Sequence, residues 1–101
     1  MPGYLVAQLR VTDERVFWDE YVPSTPPLIK QYGGRFVVRS DKVELLEGLA
    51  CAPRMAVIEF PSLEIAREYY HSADYQKLGA IRRRSCESLL VLTDGYRGEG
   101  R

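Results

Sequence analysis

Apolar and polar residues follow two different periods along the chain, and the changes between them mark the predicted elements. Over residues 4–11 apolar side chains recur at every second position, which is typical of a strand with one face in the core. Strands are also predicted over residues 55–60 and over residues 88–93, the latter with apolar residues on both parities. Two further strand-like segments, 35–39 and 43–49, are separated by a short polar stretch, so we expect a hairpin or one long bent strand there.

Helical periodicity and capping residues fill the intervals between these strands. A polar pair at residues 12–13 can cap a helix over about residues 14–22, which Pro23 should end. A short second helix begins at the prolines of segment 24–27 and should end at Gly33. Two more helices are predicted, one over residues 62–71 and one over the segment that follows it.

The order of these elements indicates the fold class. Strand, helix, hairpin, strand, helix, strand is the order of a ferredoxin-like α+β sandwich, in which helices cover one face of an antiparallel sheet. We expect one domain over residues 1–95 and a flexible, glycine-rich tail over residues 96–101. The other sheet face carries apolar residues such as Val6 and Val57 and needs a cover. A homodimer with sheet facing sheet, a dimeric α+β barrel, is the economical solution.

The charge balance and the cysteine count restrict the partners. There are 14 basic and 14 acidic residues, so the chain lacks the broad positive field that nucleic acid or an anionic membrane would need. The absence of a signal-peptide pattern and of a long apolar stretch favours a cytoplasmic protein. Cys51 and Cys86 have no metal-ligand spacing and there is one histidine, so we expect free thiols, no metal site and no cofactor.

Several segments occur in the order found in one known family. They are Tyr32-Gly33-Gly34-Arg35-Phe36, Leu45-Leu46-Glu47-Gly48, Ile58-Glu59-Phe60-Pro61-Ser62, residues 69–76 and residues 78–84. On these segments the chain resembles the domain-of-unknown-function 1330 family over residues 4 to about 95. That family is similar to the dimeric α+β barrel superfamily, which includes small monooxygenases, muconolactone isomerases and haem-dependent peroxidases. The resemblance implies the ferredoxin-like fold and the homodimer, and it implies catalysis only by analogy, since one fold hosts many functions.

Arg82 is the first candidate for a substrate-binding residue. It lies seven positions after Tyr75 and on the same apolar arc of its helix, whereas Arg83 and Arg84 point elsewhere. A buried guanidinium needs a partner because its desolvation is costly. One interpretation is structural, with the side chain reaching solvent or a buried carboxylate. The other is an anchor for a substrate carboxylate or enolate oxygen, which the planar guanidinium binds in bidentate fashion.

Glu59 is the candidate catalytic acid or base. Strand alternation places it on the sheet face away from the helices, where burial would raise its pKa toward neutrality. A salt bridge to Arg10 or Arg39 is the alternative. The same alternation places Glu59 and Arg82 on opposite sides of the sheet, so they share a pocket only at its edge unless a bulge changes the register.

Aromatic residues complete the candidate site. Trp18, Tyr21 and Tyr75 are expected to bind substrate in a cleft between the helices and the sheet, with Tyr70 as a second catalytic group. The alternative is that they form ordinary core. Buried tyrosines need partners for their hydroxyls, which favours a cavity rim for some of them. His71 falls on the polar side of its helix and is expected to be dispensable.

Three classes of function remain open from the sequence. The first is a cofactor-independent enzyme acting on a small aromatic or oxo-acid compound. The second is a small-ligand binding or regulatory module that uses the same cleft without turnover. The third is a dimer with no ligand site. A closed cavity with a titratable group of shifted pKa favours the first, and an open groove without one favours the second.

Overall fold

The computed structural model describes residues 1–96, and its elements follow the predicted order except for one predicted strand. The strands are β1 (Gly3–Val11), β2 (Arg35–Ser40), β3 (Arg54–Phe60) and β4 (Cys86–Asp94). The helices are α1 (Glu14–Val16), α2 (Thr25–Gln31), α3 (Leu63–His71) and α4 (Ala73–Ser85). A π-helical turn (Phe17–Tyr21) and a 3-10 turn (Val22–Ser24) join α1 to α2. The predicted tail lies outside the described residues from position 97 onward.

The strands form one antiparallel sheet in the order β2-β3-β1-β4. This order, with helices on one face, is the ferredoxin-like α+β fold that the sequence predicts. Alternate residues of β1, Leu5, Ala7 and Leu9, are buried on the helix side. They pack with residues of β3 and of the helices, because each element has one apolar face to remove from water. The larger core cluster consists of Leu5, Leu28, Ile29, Ile58, Phe60, Ala66, Tyr69 and Tyr75.

Among residues 1–96 no helix covers the opposite sheet face, which carries one valine from each strand. Val6 is paired with Val57 on one side and with Val91 on the other, and Val57 is paired in turn with Val38. Directly paired residues point to the same side of a sheet, so these residues form a continuous valine row. Val38 and Val91 are exposed.

The first helical region differs from the prediction. The sequence predicted that Pro23 ends a helix over residues 14–22, but the backbone stays helical from Glu14 to Gln31. Asp13 caps the start, and its Oδ1 accepts a hydrogen bond from the Val16 amide at 3.2 Å. Pro23 lies in the first turn of the 3-10 segment, where a missing amide proton costs little. Proline therefore marks a change of helix type here and not an end.

The predicted strand over residues 43–49 is wrong. Residues 41–53 form neither helix nor strand, and β2 pairs directly with β3. Gly48 has a φ of 119°, which no regular strand adopts. The leucines that suggested a strand are exposed, Leu46 and Leu49 most of all, since the segment has no core face to pack against.

Candidate functional site

A cavity lies between the helix side of the sheet and the helical layer, with a volume of about 50 Å³. Its walls are mostly apolar, and the polar side chains among the described lining residues are hydroxyls and guanidiniums. These polar residues are Tyr21, Thr25, Arg39, Arg54, Tyr69, Tyr75 and Arg82. No aspartate or glutamate is among the described residues that line it. The cavity is therefore positively charged.

Ser72 sets the direction of α4 and so places Arg82 against the core. The Ser72 hydroxyl donates to the Tyr69 carbonyl at 2.7 Å and accepts from the Tyr75 amide at 3.0 Å, so it ends α3 and caps α4. From this start, Arg82 reaches the buried arc as predicted and is only 4% exposed. Arg83 and Arg84 are exposed.

The partners of Arg82 are neutral hydroxyls. Its Nε donates to the Tyr75 hydroxyl at 3.3 Å, and its Nη1 donates to the Ser88 hydroxyl at 2.8 Å. Within residues 1–96 no carboxylate lies at salt-bridge distance from Arg82. The structural bridge to a buried carboxylate is therefore not what holds this side chain. Its positive charge is hydrogen-bonded but not neutralised by protein.

Two tyrosines extend this network into the cavity. The hydroxyls of Tyr21 and Tyr75 lie 2.7 Å apart, and either can donate to the other. Burial raises the pKa of Tyr21 well above its usual value, and the neighbouring Tyr75 adds to this. Burial also raises the pKa of Tyr75, against the opposing effect of Arg82. Both phenols are therefore neutral near pH 7, where they act as hydrogen-bond donors and acceptors and not as bases.

Arg39 and Arg54 line the cavity as well, although the sequence pattern did not assign them to it. Arg54 lies two positions before the buried Ala56 of β3, so strand alternation places both side chains on the helix side. The sequence alone could therefore have assigned Arg54 to the cavity. Arg39 has no such signal, because a bulge between Phe36 and Val38 shifts the register of β2 and pairs Arg39 with Ala56. The bulge thus turns Arg39 to the helix side.

Aromatic rings hold these two arginines in place. The Arg54 guanidinium lies 4.8 Å from the centroid of Trp18, and that of Arg39 lies 4.9 Å from the centroid of Phe36. Burial lowers the pKa of Arg54, and the like charge of Arg39 lowers it further. Arg54 is half-buried and Arg39 is exposed. The cavity therefore runs from the buried Arg82 to a mouth at Arg39.

Glu59 does not have the environment predicted for a general acid or base. It lies on the sheet face away from the cavity, as alternation predicts, but it is well hydrogen-bonded. Tyr4 donates its hydroxyl to Oε1 at 2.9 Å, and Arg35 forms a salt bridge to Oε2 at 2.9 Å. These contacts lower the pKa of Glu59, the Tyr4 hydrogen bond most strongly. The predicted upward shift is wrong, and the salt-bridge partner is Arg35 instead of Arg10 or Arg39.

The depressed pKa of Glu59 predicts an acid-dependent contribution to stability. A carboxyl whose pKa is lower in the folded than in the unfolded state stabilises the fold at pH values above its unfolded pKa, here 4.5. This stabilisation is lost as the pH falls through the pKa of the folded state. Glu59→Gln should therefore have a lower melting temperature than wild type at pH 7, and this difference in melting temperature should disappear toward pH 3. Melting curves across this range check it, with the exposed Glu68→Gln as control. A difference in melting temperature that does not change with pH would contradict the ion pair between Glu59 and Arg35.

Trp18 and Tyr70 lie outside this cavity, and the cleft position predicted for Trp18 is wrong. Trp18 is 40% exposed, and its Nε1 donates to Glu14 at 2.7 Å; it reaches the site only through its contact with Arg54. The π-helical turn causes this, because its wider spacing changes which side chains face the sheet. Tyr70 lines a separate groove of about 210 Å³ together with His71 and residues of β1 and β4. His71 itself is exposed, as predicted.

Two classes of feature are missing from the part of the chain that the structure describes. No cluster of three or more histidine, cysteine, aspartate or glutamate side chains is placed to hold a metal ion among residues 1–96. Over the same range, every helix is too short or too polar to cross a membrane. Cys51 and Cys86 are both free.

Fold and site together define a ferredoxin-like α+β protein with a positively charged cavity between its sheet and its helices. The chain belongs to the family described as domain of unknown function (DUF1330), whose model matches residues 2–96. This confirms the resemblance seen in the sequence segments. None of the curated proteins matches the sequence.

Solved structures support the fold. A protein of unknown function from Rhodopseudomonas palustris shares 16% identity and a TM-score of 0.71, over 95% of this chain and 83% of that one. The cofactor-independent oxygenase SnoaB from Streptomyces nogalater shares 13% identity and a TM-score of 0.64, over 95% and 94%. A protein from Bacteroides fragilis described as dimeric and ferredoxin-like shares 12% identity and a TM-score of 0.59, over 93% and 96%. At these identities the similarity establishes the fold alone.

Proposed function

We propose that this protein binds a small organic acid in the cavity and holds an anionic oxygen of the ligand with Arg82. The observation that carries this proposal is a guanidinium that is 4% exposed and bonded only to neutral hydroxyls among the described residues. A buried charge of this kind is costly, and an anionic ligand offsets the cost. The planar guanidinium suits a carboxylate or an enolate oxygen.

The tyrosine pair supports the same chemistry. Tyr75 accepts from Arg82 and shares a hydrogen bond with Tyr21. One phenolic proton can therefore turn toward a bound oxyanion while the other keeps the pair connected. Neutral donors beside a fixed cation form an oxyanion site that requires little rearrangement on binding.

The volume of the cavity restricts the ligand. A dry cavity of about 150 Å³ accommodates benzene, whereas this one measures about 50 Å³. A carboxylate or 2-oxo acid with a short carbon chain fits this space better than an aromatic ring. An aromatic ligand would have to keep its ring in the mouth near Arg39 or displace side chains.

Turnover without a cofactor is the second candidate function, and the similarity to SnoaB favours it. In this hypothesis Arg82 and Tyr21 or Tyr75 stabilise the enolate form of a bound oxo acid. Glu59 is unsuited as the proton acceptor because it lies on the other sheet face and carries a depressed pKa. The proton lost from carbon would pass to water at the mouth and return to the enolate from solvent, so that the turnover is a keto–enol exchange. Binding is the better supported function, since it needs no base.

Substituting Tyr75 tests the proposed binding. In wild type, short monocarboxylates and 2-oxo acids at constant ionic strength should raise the melting temperature, because they bind only the folded state. Tyr75→Phe removes one partner of Arg82 and one donor, and it should weaken binding by about tenfold. Tyr70→Phe, outside the cavity, is the matched control. If no small acid stabilises wild type, the proposal is wrong.

The proposal includes a homodimer formed through the sheet face that carries the valine row. Apolar residues there are open to solvent, with Leu89 58% and Val91 47% exposed. Polar residues flank the row, with the Tyr4, Glu59 and Arg35 cluster on one side. An apolar centre with a polar rim is the usual anatomy of a protein interface. The Bacteroides fragilis relative of the same fold is described as dimeric.

A further inference from the structure

We propose that the ligand of the cavity carries two carboxylates, one bound by Arg82 and the other bound by Arg54 near the mouth. This inference rests on the proposed function and narrows its ligand to a small dicarboxylic acid. Binding one carboxylate at Arg82 leaves other positive charges of the cavity without an anion. A second and third guanidinium line the same cavity, those of Arg54 and Arg39.

Sheet register places Arg54 at the same level along the strands as Ser88, the hydrogen-bond partner of Arg82. Leu9 of β1 is paired with Arg54 on one side and with Ser88 on the other. Directly paired residues point to the same sheet face, so the Arg54 side chain and the Ser88 hydroxyl lie on the helix side with Leu9. Arg82 donates to that hydroxyl at 2.8 Å.

The spacing of the strands sets the scale of the ligand. Arg54 and Ser88 stand on the two strands that flank β1, so their Cα atoms are about 10 Å apart. The side chains of Arg54 and Arg82 both line the cavity, and Arg82 is bonded to the Ser88 hydroxyl. One short carbon chain with an acid group at each end can therefore contact both.

The Arg54 guanidinium is held by an aromatic ring. It lies over the Trp18 ring, with 4.8 Å from Cζ to the ring centroid. A cation–π contact leaves the N–H groups available, and these are the groups that bind a carboxylate. Among residues 1–96 no carboxylate lies within salt-bridge distance of Arg54.

The electrostatics of the mouth favour a second anion over water. Arg39 lies close enough to Arg54 to lower its pKa, in addition to the effect of burial. Two like charges near one another at a partly dry surface repel, and a carboxylate between them relieves the repulsion. Asp41 opposes this repulsion at Arg54, but it is not among the residues that line the cavity.

A matched ligand series tests the second carboxylate. Dissociation constants are measured by calorimetry at constant ionic strength for malonate, succinate and glutarate, each against the monocarboxylate with the same number of carbon atoms. Wild type should bind its best dicarboxylate at least about tenfold more tightly than the matched monocarboxylate, the effect of one further charged hydrogen-bonded contact.

Substitution of Arg54 assigns that preference to a residue. Arg54→Met keeps a side chain against Trp18 and should remove the dicarboxylate preference, so that the dissociation constants of the dicarboxylate and its matched monocarboxylate differ by less than about twofold. Arg83→Met, exposed on the same helix as Arg82, controls for net charge and should change neither constant. The circular dichroism of each unliganded variant should match wild type.

The outcomes separate the inference from the proposed function. Equal binding of mono- and dicarboxylates by wild type overturns the second carboxylate and leaves the proposed function in place. A dicarboxylate preference that survives Arg54→Met also overturns the assignment to Arg54. If no acid in the series binds to wild type, the proposed function itself fails.

Discussion

Replacing Arg82 with methionine should abolish binding of small acids while leaving the fold close to wild type in stability. Methionine fills much of the same buried space without a charge, so it removes the desolvation cost together with the anion site. We expect the free energy of unfolding to stay within about 1 kcal/mol of wild type. Thermal and denaturant melts, with and without ligand, measure both effects.

Two further substitutions at Arg82 separate packing from charge. Arg82→Ala should lose binding and about 2 kcal/mol of stability, because it leaves a void and removes the hydrogen bonds to Tyr75 and Ser88. Arg82→Lys should retain weak binding, since an ammonium keeps the charge but not the planar donors. Arg83→Ala is the exposed control and should stay within about 0.5 kcal/mol of wild type. If Arg82→Met bound small acids as tightly as wild type, the assignment of Arg82 as the anion-binding residue would be contradicted.

Replacing Val57 with glutamate should convert the proposed dimer to a folded monomer. Val57 lies on an inner strand of the sheet, in the middle of the valine row. In a sheet-to-sheet dimer, the substitution brings two unpaired carboxylates into an apolar interface, which costs several kcal/mol. In the monomer the same side chain faces water, so the fold should persist. Light scattering after size-exclusion chromatography at micromolar concentration measures the mass.

The control for this substitution adds the same charge elsewhere. Ala80 is exposed on α4, on the side of the sheet away from the valine row, so Ala80→Glu should leave the dimer intact. A monomeric wild type, or a Val57→Glu variant that remains dimeric, would show that the valine row is not the interface.

The fold could be predicted from the sequence because local patterns and global topology agree. The alternation over β1 and β3 and the helical periodicity over residues 62–71 each specify one element and one buried face. The same patterns placed Arg82 against the core. The prediction of a strand over residues 43–49 was wrong because an apolar pattern shows only that a segment could form a strand. It does not show whether another strand is available to pair with it.

The rest of the site depended on structural features that the hydrophobic periodicity of the sequence does not indicate. A one-residue bulge in β2 turned Arg39 toward the cavity, and a π-helical turn moved Trp18 out of it. The environment of Glu59 depended on cross-strand neighbours, Tyr4 and Arg35, which only the strand register brings together. Alternation gave the correct face for Glu59 but could not give the direction of its pKa shift.

The most direct measurement of the central claim is a nitrogen-edited NMR titration of the arginine side chains with a short 2-oxo acid. The Nε–H of Arg82 is buried and bonded to Tyr75, so it should be protected from exchange and visible near neutral pH, and Arg82→Lys assigns it. We predict that this resonance shifts in a saturable way with the ligand, whereas that of the exposed Arg83 does not. Saturable binding that leaves the Arg82 resonance unmoved, or no binding at all, would contradict the account.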